Sequence, residues 1–181
     1  MKPVVIDNPG DEKVVLQLDN DPVIELEPHQ TKALEVKFGK RKITVNNGTP
    51  EEIYLDPEKD YLINPTRETY YIEHKIYFTS DEAKEEYLRY NKDELESEVE
   101  GMKVTGKFKK IENQLVITKQ WKYGLDDPAK NSIKLLMSNR NRDNYTLIKI
   151  HRREDLENEI ASETARFLME EFEKQRNEQG Q

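Results

Sequence analysis

The chain has 181 residues and no cysteine, which excludes disulfides and thiolate metal centres. Apolar residues make up 34% and charged residues 36%, a balance that favours thin, heavily solvated layers over a thick multilayer core. The net charge of −8 is segregated: residues 1–100 carry 13 Lys and Arg against 24 Asp and Glu, residues 101–153 carry 13 against 4, and residues 154–181 carry 3 against 9.

From the N-terminus, short apolar runs fall at 4–6, 14–18, 23–26, 34–38, 43–45, 53–55, 61–63 and 70–78. They alternate with period two, which sends successive side chains to opposite faces of a sheet. Val14, Leu16 and Leu18 share one face, as do Leu34, Val36 and Phe38, while Glu35, Lys37, Lys42 and Thr44 take the other. Asn8-Pro9-Gly10, Gly39 and Asn46-Asn47-Gly48-Thr49 supply turn chemistry, the last being a hairpin signal. Many short strands at even spacing predict an antiparallel β-sandwich over residues 1–78, immunoglobulin-like in a loose sense.

A linking helix is predicted next, over residues 79–100. Thr79 stands as its cap with Glu82 three residues on, and Gly101 follows its end. Residues 102–110 and 115–123 then predict a hairpin around Ile111-Glu112-Asn113-Gln114, with further strands at 133–137 and 145–152. The last element is a long helix to residue 176, with Leu156, Ile160, Thr164, Phe167, Leu168 and Phe172 on one side. Residues 177–181 form a polar tail expected to be disordered. The whole is an α+β chain: a sandwich over 1–78, the linking helix, then a small antiparallel sheet covered by the long helix, making a second domain over 101–176.

Charge bears on partners rather than on fold. Lys103, Lys107 and Lys109 alternate away from Met102, Val104 and Phe108; Lys122 lies between Trp121 and Tyr123; Arg140, Arg142, Arg152 and Arg153 stand near strand and loop ends. Such a face suits an anionic partner or the chain's own acidic helix. Lysines with aromatics can hold single-stranded nucleic acid, but alternation puts Trp121 and Tyr123 on the side opposite Lys122. His74 shares a face with Tyr70, Ile72, Ile76 and Phe78, the setting of a core histidine. Asp7, Asp11, Glu12, Asp19 and Asp21 crowd the early loops without the glycine and closing glutamate of a calcium loop, and read as solvated charge. Tyr70, Tyr71, Tyr77, Tyr87 and Tyr90 gather where the sandwich meets the helix, as at an interdomain seam.

No phosphate loop, zinc-protease helix or nucleophile elbow is present, so no catalytic residue, metal or cofactor is expected. The expected function is a non-enzymatic protein-interaction module, an adaptor or regulatory subunit, binding through Lys103, Lys107, Lys109, Lys122, Arg152 and Arg153. Its interaction helix carries Leu156, Ile160, Phe167, Leu168 and Phe172. The partner is another protein, or a second copy through that helix. The alternatives are nucleic-acid binding by the basic segment 101–153, and a small hydrolase using paired carboxylates. With no segment of signal-peptide or membrane-spanning type, the expected setting is cytoplasmic and away from membranes.

Overall fold

The computed structural model describes residues 2–128 and 144–179. The class is α+β, and the chain divides into two compact units. Unit 1 takes the residues up to Thr69 together with Ile111–Gln120; unit 2 takes Tyr70–Lys110 and the chain from Trp121 on.

Unit 1 holds two four-stranded sheets. The first contains β1 (Lys2–Asn8), β4 (Gln30–Val36), β7 (Tyr61–Ile63) and β12 (Val116–Thr118), in the order β12-β7-β1-β4. The second contains β2 (Val14–Leu18), β3 (Ile24–Leu26), β5 (Gly39–Val45) and β6 (Glu51–Leu55), in the order β3-β2-β5-β6. One core draws Val4, Ile6 and Ile63 from the first sheet and Leu16, Leu18, Ile43 and Leu55 from the second, the arrangement of a sandwich. The alternation in β2, with Val14, Leu16 and Leu18 buried, is what period two dictates. The sandwich is not purely antiparallel, because β1 runs parallel to β7.

Several turns follow from residue chemistry. Asn46 and Asn47 both adopt positive φ and Gly48 N–H donates to Val45 at 2.8 Å, closing the β5–β6 hairpin. Of the early carboxylates Asp11 and Glu12 are exposed, while Asp7, Asp19 and Asp21 hold structural contacts. Asp7 is buried and accepts from the Thr31 hydroxyl at 2.6 Å, which corrects the solvated reading for that residue. Asp19 and Asp21 both engage the buried Arg41 guanidinium, at 2.5 and 2.6 Å.

The hairpin expected across residues 111–114 does not form. Buried Asn64 draws the following chain into unit 1: its backbone N–H donates to Leu115 at 2.7 Å and its side-chain amide to Gln114 at 3.0 Å. Leu115 and Ile117 are then buried, and β12 pairs with β7.

Unit 2 is built on a three-stranded sheet, β11 (Lys107–Ile111), β8 (Tyr70–Phe78) and β13 (Asn144–Arg152), in that order. Tyr70–Phe78, expected to finish the sandwich, instead pairs with β13 along all nine residues, from Tyr70 opposite Arg152 to Phe78 opposite Asn144. Helix α1 (Asp81–Asn91) follows, capped by Ser80, whose side chain accepts from Ala83 N–H, and not by Thr79. It is shorter than expected. A 3₁₀ turn at Lys92–Leu95 leads into β9 (Glu96–Val99), which pairs with β10 (Met102–Thr105). Glu100 and Gly101 both have positive φ, so Gly101 serves a two-residue hairpin rather than a helix stop. Burial of Leu95 and Val99 draws this segment out of the helix.

Helix α2 (Arg153–Gln179) closes the unit. Leu156 is buried with Tyr71 and Val99, and Ile160 packs beside them with Val104 and Phe108. Burying one such leucine stabilises the docking by about 1.5–3 kcal/mol. The helix runs past residue 176, so Asn177 lies within it and not in a tail. The strand expected at 133–137, and Arg140 and Arg142 after it, lie outside the described residues. Among the described residues no helix is long and apolar enough to cross a membrane.

Candidate functional site

Unit 2 contains a cleft of about 700 Å³, a volume within the range of ligand sites. Glu73, His74, Lys75 and Ile76 of β8 all line it, as do Lys103, Val104, Thr105 and Gly106 at β10. β8 is the central strand of its sheet, bonded to β13 along its whole length and to β11 on the other side, whereas β10 is paired on one side only among the described residues. β11 is five residues long against nine in β8, so the β11 ladder cannot run the length of β8. β10 is one strand of a two-stranded sheet whose other member is β9.

Gly106 makes the divergence possible. With φ at 141° it turns the chain between β10 and β11, and its N–H donates to Leu95 O at 2.5 Å. The Ser97 hydroxyl donates to Gly106 O at 2.7 Å, tying the turn to β9. Apolar surface comes from Phe78 and Leu88 on one side and from Leu156 and Ile160 of α2 on another. Charge of both signs lines it: Lys84 on α1 and Lys103 on β10, Glu159 and Glu163 on α2, and Glu73 with Lys75 on β8. His74 is half-buried, and its pKa is pushed below the usual histidine value by burial first and then by Lys107 and Lys109.

A polar cluster adjoins one wall. His151 is buried with Nε2 2.8 Å from Glu73 and Nδ1 3.7 Å from Glu159. Lys149, also buried, donates to Gly124 O at 2.8 Å and Asp127 O at 2.6 Å. Burial pushes the Lys149 pKa down, opposed by the charges of Asp127, Glu159, Glu73 and Asp126. Elsewhere in unit 2 the Tyr71 hydroxyl donates to Glu100 at 2.5 Å, and the Lys110 ammonium lies 3.1 Å from the same carboxylate. Among the described residues no group of three or more His, Asp or Glu is placed to hold a metal ion.

The sequence-nominated cations divide by surroundings. Lys103 lines the cleft; Lys107 and Lys109 are exposed on β11 and act on His74; Lys122 is exposed. Arg152 is engaged by Asp126 at 3.2 Å and Asp155 at 3.1 Å, and the charge of Arg153 reaches Glu100. Of the helix residues, Leu156 and Ile160 pack inward, while Phe167, Leu168 and Phe172 are exposed. Sequence reasoning singled out His74 and passed over His151, the buried histidine, and Gly106. A glycine between two alternating runs was the available signal for Gly106; His151 had none, because its partners come from strand register. Comparison with protein families, curated proteins and solved structures finds no match to this chain.

Proposed function

We propose that this chain is a non-enzymatic protein-interaction module, an adaptor or regulatory subunit, that takes an extended segment of a partner protein into the unit 2 cleft. The observation that carries the reading is the lining of that cleft by Lys103, Val104 and Thr105 of β10, a strand paired on one side only among the described residues. Strand edges recognise extended peptides through backbone hydrogen bonds, and pockets beside them select alternate side chains. Phe78, Leu88 and Ile160 would take apolar side chains; Lys84 and Lys103 favour acidic positions, and Glu159 and Glu163 basic ones. Nucleic-acid binding is the competing reading. Weighing against it, Arg152 and Lys110, two cations of the basic segment, already hold carboxylates.

The test is selection of a random short-peptide display library on the full chain, followed by fluorescence anisotropy of the selected peptides. Peptides with alternating apolar residues are expected. Lys103→Glu should weaken them by about tenfold, and N-methylation of alternate peptide nitrogens should abolish binding. Absence of enrichment, or selected peptides that bind Lys103→Glu and wild type alike, would overturn the reading. Steep loss of single-stranded DNA binding with added salt would favour nucleic acid instead.

A further inference from the structure

Beyond Ile160 the outer part of α2 shows solvent four large apolar side chains: Phe167 at 61% exposure, Leu168 at 53%, Met169 at 68% and Phe172 at 74%. Ala161 and Ala165 are exposed as well. Ala161, Ala165, Leu168 and Phe172 follow a four-three-four spacing, which places them within an arc of roughly 60° on a helix of 3.6 residues per turn. That arc lies to the side of the Leu156 and Ile160 stripe that packs in unit 2.

The order of sizes along this seam is small, small, large, large. Two copies laid antiparallel bring Phe172 of one over Ala161 of the other, and Leu168 of one over Ala165 of the other, at both ends. Facing large with small is how packed layers interdigitate without voids or overlap, and a surface that complements itself in this way generates a closed two-fold pair. A parallel pair would instead set Phe172 on Phe172 and leave the alanines facing a gap. We propose that the outer half of α2 is a self-association seam, and that its occupant is the same seam of a second copy, antiparallel.

The area bears on strength. Covering these side chains on two helices removes on the order of 800 Å² in total, below the standard size of a specific interface. The pair is therefore weak and reversible. The seam is separate from the cleft, so peptide binding and self-association stand or fall independently.

The test is sedimentation velocity of the full chain over a concentration series, with helix content followed by circular dichroism. Wild type is expected to pass from monomer to dimer, and Phe172→Ala to stay monomeric. Ala165→Leu decides between packing and stickiness. Leucine retains helix propensity, yet against the Leu168 of another copy it overfills the seam, so dimerisation should weaken by about tenfold. A merely apolar patch would associate more strongly when enlarged. Orientation is read by cross-linking, since the native chain has no cysteine. An equimolar mixture of Ala165→Cys and Leu168→Cys chains should oxidise mainly to the mixed pair. A monomer at every concentration, stronger association of Ala165→Leu, or like-with-like cross-links would each overturn the proposal.

Discussion

His151 Nε2 lies 2.8 Å from a carboxylate oxygen of Glu73 on the neighbouring strand, with the two side chains only 2% and 13% exposed. Register explains the meeting: His151 stands opposite Tyr71 and Lys149 opposite Glu73, so the pair is a diagonal on one sheet face. Removing one partner of a buried pair leaves the other desolvated and uncompensated. His151→Ala should lower unfolding stability by roughly 2–4 kcal/mol, read by urea denaturation. Replacing both residues with leucine should cost less than the two single changes added together, and strict additivity would count against the coupling.

Tyr71 and Glu100 predict stability losses at both ends of the pH range. Burial first, and then the bond to Glu100, push the Tyr71 phenol up to about 12. An unfolded tyrosine ionises near pH 10, so this contribution is whole below about pH 10 and is lost as pH climbs towards 12. Glu100 is held below the usual carboxylate range by the Tyr71 hydroxyl first and then by Lys110. Its contribution is present above the unfolded value near 4.3 and fades as pH falls through the depressed folded value. Tyr71→Phe should shrink the alkaline loss and raise the Glu100 pKa, followed by carboxyl NMR titration. An unmoved Glu100 titration would contradict the assignment.

Gly106→Ala places a methyl carbon 2.9 Å from the Phe108 ring, on a backbone with φ at 141°. Strain in that region costs on the order of 1–3 kcal/mol. The substitution should lower the unfolding midpoint and, because Gly106 and Phe108 both line the cleft, weaken a selected peptide as well. Gly39→Ala is the matched control, since it shares positive φ and meets nothing nearby. Equal effects at the two sites would assign everything to backbone strain.

Lys149 holds a loop. Its ammonium reaches Gly124, Leu125 and Asp127 carbonyls, the last at 2.6 Å, and so satisfies acceptors with its three donors. Lys149→Met retains the stem and removes the donors, for an expected loss of roughly 2–3 kcal/mol. Hydrogen exchange should rise in residues 122–127 and remain unchanged in β2. Uniform acceleration across both segments would indicate global destabilisation instead.

Local signals and long-range pairing differed in how far they could be read. The inner faces of β2 and β5, the Asn46-Asn47 turn and the inward Leu156 and Ile160 all follow from periodicity or turn chemistry within a few residues. What periodicity cannot supply is the partner. Residues 70–78 alternate like any sandwich strand, yet their hydrogen bonds go to residues 144–152. Residues 96–99 continue an apolar stripe at helical spacing, and the two positive-φ residues at 100 and 101 decide for a hairpin. The cleft was legible only as the alternation around Lys103, because its other walls come from elements distant in sequence.

The excursion of Ile111–Gln120 into unit 1 has a consequence for biosynthesis. On the ribosome, the strand that completes the β12-β7-β1-β4 sheet emerges only after β8, α1, β9, β10 and β11 have been made. Until then β7 has β1 on one side and lacks its second neighbour, a state in which strand edges invite pairing with other chains. Nor can either unit be released by a single cut. A nick after Thr69 severs one covalent path while the stretch through Ile111–Gln120 still threads both units, so limited proteolysis should yield fragments that stay together until denatured.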